Sequence, residues 1–213
     1  MRKVFTVAVL LILAALSCVG KDADSPTSAV IVHGGHPPYW SEDLDRAVRV
    51  FRDEGYLVIP MIMPPVPHEG RPTRDFLDPV ISTVDNLVDM GIENIYMVGL
   101  SGGGWTTVVA CWADQRIDKC FPVAGSLPLE FSDEGWGANR DYEQLHVPVS
   151  YRELYARANF MLAFYILDDP CCFPGREVMG HDIGVAYIVD STTDKHEISP
   201  YTLGIIMENL RKD

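Results

Sequence analysis

The chain has 213 residues, 47% of them hydrophobic, and carries a formal net charge of −13. That length suits one domain able to bury a sizeable core without metals or disulfides as its main support. So acidic a balance argues against nucleic acid as a partner, and its spread through the chain rather than in runs reads as solubility.

At the N-terminus, Arg2 and Lys3 precede an apolar stretch from Val4 to Leu16, then small residues and Cys18. This is the layout of a secretory signal over residues 1–18, too short to span a membrane comfortably. Ala15-Leu16-Ser17 reads equally as a general signal-peptidase site or as a degenerate lipobox that would leave Cys18 as a lipid anchor. Both readings place the protein outside the cytoplasm, periplasmic or extracellular. Loss of Arg2 and Lys3 takes the charge two units further, to −15. A linker over 19–28 then leads into a domain over 29–213.

Within that domain short β-rich runs alternate with stretches of helical period, which predicts an α/β fold: a mostly parallel sheet of about six strands with helices on both faces. The expected strands are Ala29 to Val32, Tyr56 to Met61, Asn94 to Val98, Cys120 to Ala124, Phe160 to Leu167 and Gly184 to Val189. A helix from Ser41 to Glu54 groups Leu44, Ala47, Val48 and Phe51 on one face, ends at Gly55 and reads as scaffold. A second runs from about Thr73 to Met90, and Pro79 leaves as an alternative a first turn there with the helix proper starting near Asp78. The last, Ser199 to Arg211, opens on a capping serine and Pro200.

Two stretches read as loops. Met63 to Pro72 is too rich in proline for regular structure. The stretch from Ser126 to Val149, followed by a helical run to Asn159, has the position of a lid or substrate wall. Beyond Cys18 four cysteines remain, Cys111, Cys120, Cys171 and Cys172, with three pairings open. Cys111 with Cys120 would clip a helix to the next strand, whereas adjacent Cys171 and Cys172 could pair only under strain; reduced thiols in the core are the alternative. No CxxC pair or HExxH spacing occurs, so no metal and no cofactor is expected.

The chemistry is carried by Gly99-Leu100-Ser101-Gly102-Gly103, a GxSxG motif between the strand Asn94 to Val98 and a helix-compatible run. Side chains two residues either side of so sharp a turn would collide with strand and helix, and glycine removes them. The hydroxyl of Ser101 is thereby lifted clear of the sheet, and the Gly102 amide at the helix start faces an oxyanion forming on the substrate. A serine hydroxyl is a weak nucleophile at neutral pH and needs a histidine to take its proton and a carboxylate to orient that histidine.

In chain order on such a sheet the partners arrive as serine, acid, histidine. The fifth strand runs into Asp168-Asp169-Pro170, and the last is followed by a loop containing His196. Asp169 is the expected acid with Asp168 as alternative, since the latter can still belong to the strand. His196 is preferred over His181, which precedes the last strand. After the first strand comes His33-Gly34-Gly35-His36, where Gly35 is expected as the second oxyanion donor and His36 as the fallback.

This ordered set, HGG, GLSGG, an aspartate after the penultimate strand and a histidine after the last, resembles the α/β-hydrolase superfamily over nearly the whole mature chain. The two antiparallel strands that usually precede the HGG strand are missing, as in compact lipase- or cutinase-like members, and no separate cap domain is evident. Gly99 to Trp105, Pro122 to Pro128 and Asp169-Pro170-Cys171-Cys172-Phe173 also resemble secreted bacterial α/β-hydrolases related to esterases. The resemblance implies a Ser101, Asp169, His196 triad with Gly35 and Gly102 as oxyanion donors. It further implies hydrolysis of a small-molecule or glycan-linked ester through an acyl-enzyme. A peptidase or amidase using the same triad, or a surface-anchored binding protein on a hydrolase fold, are the competing expectations.

Overall fold

Apolar runs such as Ala29-Val30-Ile31-Val32 and Ile95-Tyr96-Met97-Val98 have no polar face to offer water, so they belong in a sheet covered on both sides. The structure is a computed structural model and describes residues 26–36, 40–65, 69–125, 146–169 and 174–212. In chain order its elements are β1 (Ser28–Gly34), α1 (Glu42–Asp53), β2 (Leu57–Ile62), α2 (Arg74–Asp89), β3 (Asn94–Leu100), α3 (Gly102–Ala113), β4 (Lys119–Val123), α4 (Tyr151–Arg157), β5 (Leu162–Ile166), a 3-10 turn (Gly175–Glu177), β6 (Ala186–Asp190) and α5 (Pro200–Leu210). The strands form one six-stranded sheet in the order β2-β1-β3-β4-β5-β6. Every pairing is parallel.

Burial follows that order. β1 and β3 lie inside the sheet and are buried almost throughout, whereas the edge strand β2 alternates buried and open positions. Along each inner strand successive side chains feed opposite cores. Ala29, Ile31, Ile95 and Met97 pack with α2, α3 and α4 on one face. Val30, Val32, Tyr96 and Val98 pack with α1 and α5 on the other. α3 is buried from Gly102 through Cys111, as expected of a helix enclosed on all sides, and Phe76 of α2 stands edge-on against its Trp105 at 5.3 Å.

Two prolines show how the sheet and its helices absorb a missing donor. The N–H groups of Cys120 and Ala124 bond to Phe160 and Phe164 carbonyls on the β5 side. Pro122 falls between them on the same side and has no N–H to give, so the β4–β5 ladder is reduced to Val123 opposite Phe164 plus an isolated bridge at Cys120 and Met161. Pro79 lies inside α2, which runs from Arg74 close to the expected start at Thr73 and not from the alternative near Asp78. Its ring lies on an exposed position, and the preceding turn is held by tighter i−3 bonds from Asp75 to Pro72 and from Phe76 to Thr73.

The leader and Cys18, the stretch 126–145 of the expected lid, and Cys171 with Cys172 lie outside the described residues. Cys111 and Cys120 are joined in a disulfide across nine residues of sequence, with Cα atoms 6.6 Å apart. It clips α3 to β4 within the core, both residues being fully buried. Among the described residues no helix is long and apolar enough to cross a membrane.

Candidate active site

Ser101 is the single residue between β3 and α3, and its backbone sits at φ 59° and ψ −128°. For a residue with a side chain such a conformation costs on the order of 1–3 kcal/mol and persists only where the surroundings enforce it. Here the Ser101 N–H donates to Val123 O at 2.9 Å and its carbonyl accepts from Trp105 N at 3.1 Å, tying the turn to β4 and to α3. A Cβ at Gly99 would come within 2.1 Å of the Gly103 carbonyl oxygen, and one at Gly103 within 2.1 Å of the His33 carbonyl oxygen. Both spacers are glycine because backbone occupies the space a side chain would need.

The loop after β1 lies against this turn. A Cβ placed on Gly35 would be 3.2 Å from Ser101 Cβ, 3.3 Å from Gly102 N and 3.4 Å from Ser101 Oγ. A Cβ on Gly102 would come 3.1 Å from Cε1 of His36, whose ring therefore borders the same spot. The structure thus brings Gly35, His36, Ser101 and Gly102 together at the carboxyl end of the sheet. The loop is fastened by Met63 N–H donating to Gly35 O at 3.3 Å, and by buried His33, whose Nδ1 donates to Gly34 O at 2.7 Å. Burial pushes the His33 pKa down to about 4, the backbone bond to Gly34 partly opposing it.

Asp169 and His196 are brought together on the loops that follow the neighbouring strands β5 and β6, at the same carboxyl end of the sheet. Asp169 follows β5, its side chain wholly buried, and its Oδ2 lies 2.9 Å from His196 Nδ1. A carboxylate there holds the proton on Nδ1 and leaves Nε2 with its lone pair. Nε2 is buried and has no hydrogen-bond partner among the described residues, so no Ser101–His196 bond is formed. Asp168, one residue earlier, points elsewhere: it pairs with Arg176 of the 3-10 turn, whose hydrogen bond holds its carboxyl below the usual range. His181 is exposed, beyond that same turn.

The loop 191–198, which carries His196 between β6 and α5, is held by side chains the sequence did not single out. Buried Asp190 spans its two ends. Its Oδ1 accepts from Thr192 N and Thr192 Oγ1 at 2.8 and 2.7 Å, and its Oδ2 accepts from Ser199 Oγ and from Thr202 Oγ1. Burial alone would raise the Asp190 pKa, but the donors Ser199, Thr192 and Thr202 outweigh it and hold the carboxyl below its ordinary value. At the far end, Ile198 N–H donates to Asp43 Oδ2 and Ile198 O accepts from Arg46 Nη2, each at 2.7 Å. A signal for Asp43 was present: it lies four residues before Ala47, on the buried stripe of α1.

No protein-family model matches the sequence, and comparison with curated proteins finds no match. Solved structures do match. A putative dienelactone hydrolase from Klebsiella pneumoniae is similar at 14% identity over 89% of this chain and 87% of that one, with a TM-score of 0.62. Est1E from Butyrivibrio proteoclasticus is similar at 13% identity over 90% and 88%, with a TM-score of 0.63. The esterase domain of a Rhodothermus marinus protein follows at 12% identity over 87% and 85%, with a TM-score of 0.58. At such identities the likeness is one of fold, and the chain has the α/β-hydrolase fold.

Proposed function

We propose that the protein is a serine hydrolase that cleaves carboxylic esters through an acyl-enzyme. Ser101 Oγ attacks the ester carbonyl while His196 Nε2 takes its proton, and the Gly35 and Gly102 amides hydrogen-bond the oxyanion. Asp169 keeps the imidazole in its Nδ1–H form and stabilises the imidazolium. Collapse of the tetrahedral adduct expels the alcohol, which His196 protonates; water then gives a proton to His196 and attacks the acyl carbon, and collapse of that second adduct frees the acid while His196 returns the proton to Ser101 Oγ.

The observation that carries this reading is the buried Asp169–His196 pair with its open Nε2, at the sheet edge where Ser101 is held in a strained turn. Esters are favoured over amides because a structure of like fold, the Rhodothermus marinus domain, is named as an esterase. Replacing Ser101→Ala is expected to abolish turnover of a short-chain nitrophenyl ester and labelling by a fluorophosphonate probe. Turnover unchanged in that variant would overturn the proposal, and absence of labelling in the native protein would leave a binding role on a hydrolase fold. Faster cleavage of peptides than of esters in a substrate panel would reassign the substrate class.

Export is part of the same proposal, supported by the basic and apolar start of the chain and by the Cys111–Cys120 disulfide. The mass of the mature N-terminus tests it: a start at or near Cys18 is expected, with added diacylglycerol if Cys18 is an anchor, and an intact Met1 in exported fractions would refute it.

A further inference from the structure

Residues 191–198 make up the loop that carries His196. A loop of that kind places a side chain accurately only where its backbone donors and acceptors have fixed partners. Ile198, two residues beyond His196, has both of its own fixed from α1, by the Asp43 carboxylate on its N–H and the Arg46 guanidinium on its carbonyl. Arg46 Nη2 also lies 3.8 Å from Glu197 Oε2, while Glu197 Oε1 accepts from Thr193 Oγ1 at 2.9 Å. The peptides on both sides of residue 198 are therefore gripped, and the Glu197 side chain is held beside them.

Asp43 is only 5% exposed, and burying a carboxylate costs several kcal/mol unless good donors meet it. A helix-dipole role does not account for it. Glu42 and Asp45 stand in the same first turn and already supply negative charge there, and both are exposed. Asp43 is the one of the three turned inward, and its donor is the backbone of the base loop. α1 also follows directly on the loop that carries Gly35, so one helix joins the oxyanion side of the site to the base side.

We propose that Asp43 and Arg46 are positioning residues for His196, a two-sided clamp on the Ile198 peptide that sets where the imidazole stands over the sheet edge and how Nε2 is presented to Ser101. This rests on reading His196 as the general base. The pair makes no contact with substrate in this role; it acts through the loop.

The test combines steady-state kinetics on a nitrophenyl ester with the far-downfield proton NMR signal of a carboxylate-bound imidazole Nδ1–H, identified by its loss in Asp169→Asn. Asp43→Ala is expected to lower kcat on the order of tenfold to a hundredfold with KM held within about twofold, and to broaden the downfield signal. Asp43→Asn keeps an acceptor oxygen for Ile198 and is expected to recover most of kcat and the signal, while Glu42→Ala changes neither. Should Asp43→Ala fail to fold, Arg46→Met, which keeps the aliphatic stem, must move kcat and signal in the same direction. Unchanged kcat and signal in the folded clamp variants, or an equal effect of Glu42→Ala, overturns the clamp. If the native protein neither turns over the ester nor takes a fluorophosphonate, yet the signal still broadens in Asp43→Ala, the clamp stands and the hydrolase reading falls.

Discussion

The two sides of the candidate site are built by opposite means. Around Ser101 the geometry is steric: Gly99 and Gly103 let backbone press against backbone, and Gly35 lies against the serine with no side chain between. Around His196 it is polar, made of carboxylates and hydroxyls on separate elements: Asp169, Asp190, Asp43 and their donors. The first kind of construction is indifferent to charge but intolerant of one added carbon. The second tolerates small changes of volume but not the loss of a partner.

The largest effect is therefore expected on the polar side. Asp169→Asn keeps size and burial but no longer stabilises an imidazolium or selects the Nδ1–H form, and kcat for an ester should fall about a thousandfold or more. Its urea midpoint should move far less, and retention of near-native kcat would remove Asp169 from the chemistry. On the steric side the matching blow is Gly103→Ala. Its Cβ would lie 2.1 Å from His33 O and 2.7 Å from Gly34 O, both backbone atoms that cannot rotate away. Destabilisation of roughly 3 kcal/mol or loss of soluble protein is expected, and a midpoint within error of native would mean that α3 can shift away from β1.

Gly35→Ala separates activity from stability. Gly35 needs no left-handed backbone, and its added Cβ would make contacts no shorter than 3.2 Å, so stability should change by less than about 1 kcal/mol. Yet that carbon would lie near Ser101 Oγ and Gly102 N, where the proposed mechanism puts the oxyanion, and kcat should fall about a hundredfold. Equal turnover would place the oxyanion elsewhere.

His33 is a buried titratable group on the steric side. Its pKa in the fold is about 4, below the ordinary 6.5, so the unfolded chain takes up a proton that the folded chain refuses. Stability is unaffected above neutrality and falls as pH drops through 6.5 toward 4, by roughly 2–3 kcal/mol. Asp190 works in a more acidic range, its lowered pKa giving stability that is present above the unfolded value and lost as pH falls through the folded one. Urea midpoints at neutral pH and near pH 4.5 should differ less in His33→Asn than in the native protein; the same difference in both would trace the acid sensitivity to other groups.

What could be read from the sequence divides along the same line. The serine turn is local, five residues whose spacing alone states the steric demand, and the sheet followed from apolar runs that could face no water. Chain order then led to the loops after β5 and β6. The polar side is written in contacts too distant to read: Asp43 and Ile198 are 155 residues apart, and a helix taken for scaffold turned out to hold the loop that carries His196. Pro79 left two helix starts open because propensity counts the lost hydrogen bond but not the exposed position that tolerates it.

The choice between Asp168 and Asp169 was illegible for a simpler reason, since adjacent residues at a strand end face opposite ways and one residue of boundary error exchanges them. β5 ends at Ile166, and Asp169 N–H returns to the Ile166 carbonyl at 3.3 Å, closing a turn that sends residue 169 inward and leaves residue 168 outside. Asp168 meets Arg176, which is brought close because Pro174 bridges to Ile166 just ahead of the 3-10 turn. Both partners of this pair are more than half exposed, at 51% and 69%, where solvent screens the attraction. Asp168→Ala is accordingly expected to leave kcat and the urea midpoint as they are, the smallest effect of the series. A loss of turnover approaching that of Asp169→Asn would show that the two carboxylates act as one unit, and that the Arg176 turn beside them belongs to the machinery that orients His196.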